Sequence, residues 1–395
     1  MKGRQPAGSQ PFTTAWTWLR AQADAILSEQ VEIAGIAAPP FREEERGRFL
    51  RAKLDRIGVA TEVDAVGNIL ALFPATGNGA EFRPVIVAAH IDTVFEPGTK
   101  VDVQRRGRRW VGPGIADNAR GVAISVSVLG ALINGAVRPK HPILFAFTVG
   151  EEGRGDLRGV KHLFKEGSPL RQAAAFIAID GSGLRRIVHR ALGCRRFRVE
   201  VRGPGGHSWA DWGRPNPAHV IGQLAQRLSQ VELSRDPRAT LTVARLGGGT
   251  SVNAIPSENW LELDMRSESP AELDRVEAQF RSQLAQSVAA EEDRAGEKLR
   301  ARIERIGERP AGKLPSSHPL IEAANEATTV LGRDPEASVS STDANVPLAL
   351  GIPAIAIGGG GQSGDTHTVN EWFEDTDGAD GALRALSLLA RVARF

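Results

Sequence analysis

The chain has 395 residues, which at roughly 150 residues per domain predicts two to three domains and leaves ample length for a large core. Hydrophobic residues at 41% and charged residues at 24% exclude a disordered, fibrous or membrane-embedded protein. Lys+Arg 49 against Asp+Glu 47 leaves a formal charge of +2, so no charge excess argues for a nucleic-acid or membrane-surface partner. A single cysteine, Cys194, excludes an intrachain disulfide and a cysteine-based zinc cluster. Any bound metal must therefore be held by His, Asp and Glu, and a reducing compartment is expected. The first twenty residues lack the apolar core of a signal peptide, and no run of about 20 apolar residues occurs, which predicts a cytoplasmic location.

From Ala15 to Ile57 apolar residues recur three or four apart, broken at Pro39-Pro40, which predicts two helices. VIVAAHIDTV (85–94), ILFAFTVGEE (143–152) and AFIAIDGSG (175–183) follow, short apolar runs without alternation, separated by helix-like stretches such as GVAISVSVLGALING. That pattern predicts an α/β fold with a mainly parallel sheet flanked by helices. In such sheets ligands gather beyond the carboxyl ends of the strands, where these runs place His90, Asp92, Glu151, Glu152 and Asp180. The cluster RRGRR (105–109) reads as a solvated turn.

After Leu184 the texture changes. CRRFRVEVRG alternates, PAHVIGQLAQRLSQV is helical, ATLTVARLGGG and ENWLELDMRS alternate, AELDRVEAQFRSQLAQSVAA is helical and KLRARIERIGE alternates again. The order β-α-β-β-α-β is ferredoxin-like. Residues 184–307 are therefore expected to form an inserted ferredoxin-like α+β domain, and residues 1–183 and 308–395 the two parts of the α/β domain. The last part supplies a helix near HPLIEAANEATTVLG, a strand IPAIAIGGGG and a closing helix ADGALRALSLLARVARF.

Acidic residues at the ends of apolar strands need a partner, because Asp and Glu are rarely buried unpaired. His90 and Asp92 share one face of an extended chain, so one suits a metal while the other orients it. In GPGIADNARG (112–121) two readings stand for the Asp117-Asn118 pair: a helix N-cap, or a ligand in a glycine-rich turn. It misses the dinucleotide fingerprint. The adjacent Glu151 and Glu152 repel at a buried strand end unless a cation compensates, which suits one as ligand and its neighbour as general base. The glycine run before His367 lacks the Lys-Ser/Thr of a phosphate loop. Together His90, Asp117, Glu152, Asp180 and His367 supply two imidazoles and three carboxylates, an inventory that two divalent cations and one bridging hydroxide would neutralise.

HIDTV, GPGIADNARG, VGEEGRGDLRG, AIDGSG, GPGGHS, SVNAIP, DMRS and THTVNEW, in this order, resemble the di-zinc metallopeptidase family of peptidase T, carnosinase, glutamate carboxypeptidase, acetylornithine deacetylase and aminoacylase. The resemblance runs from about residue 15 to the end. It implies a catalytic α/β domain interrupted by a ferredoxin-like lid that makes a homodimer, and two divalent metals, zinc first with cobalt or manganese as alternatives. Within it, His90 and Asp180 belong to one metal, Glu152 and His367 to the other, and Asp117 bridges them before a peptide bond that is commonly cis. Glu151 is implied as general base toward a metal-bridged hydroxide, Asp92 as orienter of His90, and His207 as a lid histidine that reaches the tetrahedral intermediate. Arg266 and Asn253 match lid positions that grip a substrate carboxylate, although Arg266 also alternates with Asp264 as a cross-strand ion pair would.

Asp180 as the fourth ligand and the segment STDANVPLALGIP resemble the peptidase side of the family, which implies hydrolysis of a di- or tripeptide in aminopeptidase fashion. Trp209 and Trp212 depart from the small residues usual after the histidine. An amidohydrolase acting on an N-acyl or N-carbamoyl amino acid is the alternative, and a non-catalytic binding protein on the same fold the third reading.

Overall fold

The computed structural model describes residues 9–76 and 83–395; of the first twenty residues read above for a leader, 1–8 lie outside the described residues. The chain divides into two compact units, Met1–Ala191 with Lys313–Phe395, and Leu192–Gly312.

The first unit is built on a nine-stranded sheet. Its centre is parallel: Ile143–Thr148, Val85–His90, Ala175–Ile179 and Ala354–Ile357 lie side by side in that order. Every residue of these four strands is buried, which is why none shows alternation: both faces are covered. Because they are parallel, their carboxyl ends share one edge. Ile69–Phe73 flanks them antiparallel on one side and Arg186–Ala191 on the other.

The helix Ala119–Asn134 is buried almost all round, as its mainly apolar sequence requires, with the buried Arg120 satisfied by the Gly359 and Gly378 carbonyls, and the helices Gln10–Arg20, Ala23–Ala34 and Asp380–Val392 pack against it. The N-terminal segment thus forms three helices with Glu44–Arg56, where the periodicity gave two. The chain turns at Ala21 and Gln22 without a glycine or proline, so the apolar spacing runs on through the break.

The second unit has a four-stranded antiparallel sheet, ordered Ala239–Gly248, Glu258–Ser267, Gly193–Arg202, Arg300–Arg309. Helices Pro217–Ser229 and Pro270–Ala295 cover one face, giving the β-α-β-β-α-β order its ferredoxin-like form and a core of its own around Phe197, Leu261, Met265 and Phe280. The inward positions of Glu258–Ser267 alternate strictly with outward Trp260, Glu262, Asp264 and Arg266.

Residues 184–191 lie in the first unit and 308–312 in the second. Arg186–Ala191 joins the larger sheet between Ala354–Ile357 and Glu336–Ser340, and its polar His189 and Arg190 hid it among the alternating strands that follow.

Glu29, on Ala23–Ala34, is mostly enclosed and its Oε1 has no hydrogen-bond partner, while Lys53 Nζ stands 3.9 Å from it and 2.9 Å from Glu32. Burial pushes its carboxyl up to about 7. Because the folded state raises this acid's pKa, the cost of ionising it is absent at low pH, grows as pH rises above 4.5, and is complete above about 7. Glu29→Gln is therefore expected to stabilise the chain by roughly 1–3 kcal/mol at pH 8 and by clearly less at pH 5, read by denaturant unfolding at both.

Candidate metal centre

The site forms at the shared carboxyl edge of the parallel strands. Val85–His90 ends in His90, which is buried. Beyond it, Ile91 is held by Arg46, a fully buried side chain of helix Glu44–Arg56 that donates from Nη1 to the Ile91 carbonyl at 2.9 Å. Two residues past His90, Asp92 has no exposed surface and accepts hydrogen bonds from the main-chain N–H of Glu151 and of Glu152, both at 2.9 Å. Asp92 thus fixes the segment after Ile143–Thr148. His90 Nδ1 sits 3.1 Å from the Asp92 main-chain carbonyl and 3.6 Å from its carboxylate. The orienting contact expected of the Asp92 side chain is shared with its backbone.

Asn118, not Asp117, caps helix Ala119–Asn134: its Oδ1 accepts from Gly121 N and Gly181 N, and its Nδ2 donates to the Ile179 carbonyl. That leaves the Asp117 carboxylate free for the site, and the Asp117-Asn118 peptide is cis, as the resemblance implied. Gly121 is required by this close approach, since a Cβ there would lie 2.3 Å from both Asn118 Oδ1 and the Ile179 oxygen. The bond from Asn118 to Ile179 also sets the turn beside Asp180, the next residue.

Here the side chains converge. His90 Nε2 lies 3.0 Å from Asp117 Oδ1, and His367 Nε2 lies 3.2 Å from Asp117 Oδ2 and 3.0 Å from Glu152 Oε1. Donor atoms of His90, Asp117 and Glu152 all fall within 4.8 Å of one another. Asp180 joins them electrostatically: burial first, then the Asp117 charge, raise its carboxyl to about 6. Burial disfavours a charged His90, yet the Asp117 and Asp92 carboxylates outweigh it and hold the imidazole well above its ordinary range. Bonds to Asp117 and Glu152 raise His367 to about 10. Asp92 and Asp117, although buried, are held below the usual carboxylate range by the same imidazoles. The cluster is short of positive charge, and its donors, imidazole nitrogen and carboxylate oxygen, suit a borderline or hard divalent cation. The residues present fit such ions.

Glu371 was not singled out in the sequence. It is fully buried, its Oε1 accepts from Ala116 N at 2.8 Å and Asp117 N at 2.9 Å, and burial pushes its carboxyl up to about 7. The rule that marked Asp180, an acid among apolar neighbours, applies equally to Glu371 before Trp372 and Phe373 and was the available signal.

In the second unit the two-strand pair Gly206–His207 with Ala254–Ile255 brings His207 next to Asn253, and Ser208 N donates to the Asn253 carbonyl at 3.0 Å. His207 Nδ1 accepts from Trp209 N at 3.1 Å and Ala210 N at 3.3 Å. A neutral imidazole so engaged carries its proton on Nε2, which makes that nitrogen a donor. Trp209 and Trp212 beside it are 87% and 83% exposed. The structure does not bring Arg266 to this pair. Arg266 lies near the far end of Glu258–Ser267, roughly 26 Å along the strand from Glu258 at about 3.3 Å per residue, and its Nε donates to Asp264 Oδ2 at 2.7 Å.

The chain is 24% identical over 230 residues to carboxypeptidase G2 from Pseudomonas sp. strain RS-16, covering 56% of this chain and 54% of the relative. It is 26% identical over 253 residues to the cytosol non-specific dipeptidase of Escherichia coli K12, covering 58% and 50%. The chain therefore spans about half the length of these curated relatives. The crystal structure of aminopeptidase PepT from Bacillus cereus superposes with a TM-score of 0.75 at 22% identity over 94% of this chain and 99% of that one, which shows the fold. Residues 86–391, most of the chain and every site residue discussed above except Arg46, match the model of peptidase family M20/M25/M40. The chain belongs to this family, a family of hydrolytic enzymes.

Proposed function

We propose that this chain hydrolyses an amide bond in a small peptide substrate, a di- or tripeptide, in aminopeptidase fashion with two divalent cations. One observation carries the reading: the two oxygens of Asp117 each face a different histidine, His90 on one side and His367 on the other. A carboxylate placed in this way could serve two ions, one beside each histidine. His90 and Asp180 would hold one ion and Glu152 and His367 the other, with zinc first among the candidate metals.

When bound, such ions polarise the scissile carbonyl and acidify the attacking water. Glu151 is the proton acceptor and then returns the proton to the leaving amine. Asp92 holds the main-chain N–H of both acids, and Glu152 is engaged with His367, which supports Glu152 as the ligand and Glu151 as the base. Asp92 supports both tasks, as the acceptor for this segment and the partner of His90 Nδ1. The Nε2–H of His207 and the amide of Asn253 are proposed as substrate contacts; Arg266, paired with Asp264, is left out of that set. The single cysteine supports a cytoplasmic protein. The exposed outer strand Ala239–Gly248 supports a homodimer through the second unit. No described helix is long and apolar enough to cross a membrane.

The test is metal content per chain together with hydrolysis of di- and tripeptides, N-acyl amino acids and N-carbamoyl amino acids, before and after chelation. Two ions per chain, loss of cleavage on chelation, recovery with zinc, cobalt or manganese, and preference for unblocked peptides are expected. Cleavage that survives complete metal removal would sink the proposal, and action on blocked amino acids alone would move the substrate to the deacylase class.

A further inference from the structure

Glu371 links the two loops that carry the histidine-facing carboxylate and the more exposed histidine. It lies four residues after His367 on the connection between strands Gln362–Gly364 and Trp372–Glu374. Its main-chain oxygen accepts from Gly112 N at 2.9 Å, and its main-chain N–H donates to Thr368 at 3.0 Å. Its side chain then reaches the other end of the same glycine-rich turn, accepting from both Ala116 N and Asp117 N. Oε2 is sealed from solvent and has no bond of normal geometry, although the His367 main-chain N–H is close enough to favour a negative charge. An acid buried this deeply costs stability unless its acceptors are used, and both N–H groups it satisfies belong to the turn that presents Asp117.

We propose that Glu371 is a positioning residue for metal binding: by clamping the backbone of Ala116 and Asp117 to the His367 loop, it sets the spacing between the Asp117 carboxylate and His367 before any ion arrives. It touches no reacting atom. The strands on either side, Arg109–Val111 and Trp372–Glu374, are already paired, so the fold joins the two loops at their bases. What that pairing does not fix is the far end of the turn, residues 116 and 117, and there the only side-chain acceptor on those N–H groups among the described residues is Glu371. Pre-setting this distance matters because a ligand pair held within a few tenths of an ångström of its bound geometry pays little reorganisation on binding.

This inference rests on the metal reading above. The test is Co2+ titrated into the chelator-stripped full-length chain and followed by visible absorption, with thermal unfolding of the metal-free chain as control. Glu371→Ala should weaken Co2+ binding by about 10- to 100-fold and alter the absorption bands. Glu371→Gln, whose amide oxygen can still accept from both N–H groups although its NH2 replaces Oε2 beside the His367 N–H, should bind Co2+ better than the alanine variant and short of wild type. If the alanine variant does not fold, Glu371→Asp takes its place, since a carboxylate one methylene shorter falls short of the two N–H groups. Wild-type affinity in the alanine or aspartate variant, or a glutamine variant no better than either, would overturn the assignment while leaving the metal site standing. A wild-type chain that takes up no Co2+ would overturn the metal reading and this assignment with it.

Discussion

Replacing Glu151 with Gln is expected to lower kcat by roughly 10²- to 10⁴-fold, the usual loss when a positioned general base is removed, while the chain keeps its metal. Glutamine fills the same volume and keeps a hydrogen-bonding amide but cannot accept a proton at neutral pH. Glu151 is buried, and the bond from its N–H to Asp92 involves the backbone, so the substitution leaves the segment in place. Glu152 Oε1 stays beside His367, and Asp117 stays between the histidines. Metal content, measured on the same preparation, separates this outcome from loss of a ligand. A Glu151→Gln chain that turns over a dipeptide at the wild-type rate would remove Glu151 from the mechanism. One that loses its metal would make it a ligand instead.

The large-scale plan of the molecule was legible because burial on two faces leaves a direct mark on sequence. Val85–His90, Ile143–Thr148 and Ala175–Ile179 are apolar at every position or nearly so, and each is followed by its acid or histidine at the one place where an α/β sheet opens to ligands. Glu258–Ser267 and Gly193–Arg202 announced the second unit by alternation, since helices cover one face only. Arg186–Ala191 was misread because it belongs to the first sheet but carries the mixed pattern of the second. The turn at Ala21 and Gln22 left no trace, because the apolar spacing of Trp16, Leu19, Ala23 and Ile26 continues through it.

At the site, side-chain identity was legible and backbone service was not. His90, Asp117, Glu152 and His367 stand out as residues that need partners, and the structure brings them together. The contributions of Asn118, Arg46 and Glu371 are hydrogen bonds to main-chain groups of segments far away in the chain, such as Glu371 to Asp117 across 254 residues. A main-chain N–H is the same whatever the residue, so nothing in the recipient's identity marks the contact.

Asp92 shows how much such a contact weighs, and Asp92→Asn is expected to be the second most damaging single change. Both Asp92 carboxylate oxygens are committed: each accepts an N–H, one from Glu151 and one from Glu152, and the group as a whole faces His90 Nδ1. Burial alone would raise its pKa, but the imidazole and the two N–H groups win and keep it ionised, below the usual carboxylate range. An asparagine can present only one oxygen. Its NH2 must then face one of the two main-chain N–H groups, so a buried donor goes unsatisfied, at a cost of about 1–3 kcal/mol to stability. The same misfit shifts Glu151 and Glu152 together, which would displace the proposed base and a proposed ligand at once. A loss of metal affinity or activity of roughly 10- to 100-fold is expected on top of the destabilisation. Because the folded state lowers the pKa of Asp92, the stability it contributes is present above its unfolded value of 3.8 and fades as pH falls through the lower folded one. Wild type and Asp92→Asn should therefore differ in unfolding free energy at pH 7 and converge as the medium is made strongly acidic. A difference that stays constant from neutral to acidic pH would mean that the side chain's charge is not what holds the Glu151-Glu152 segment.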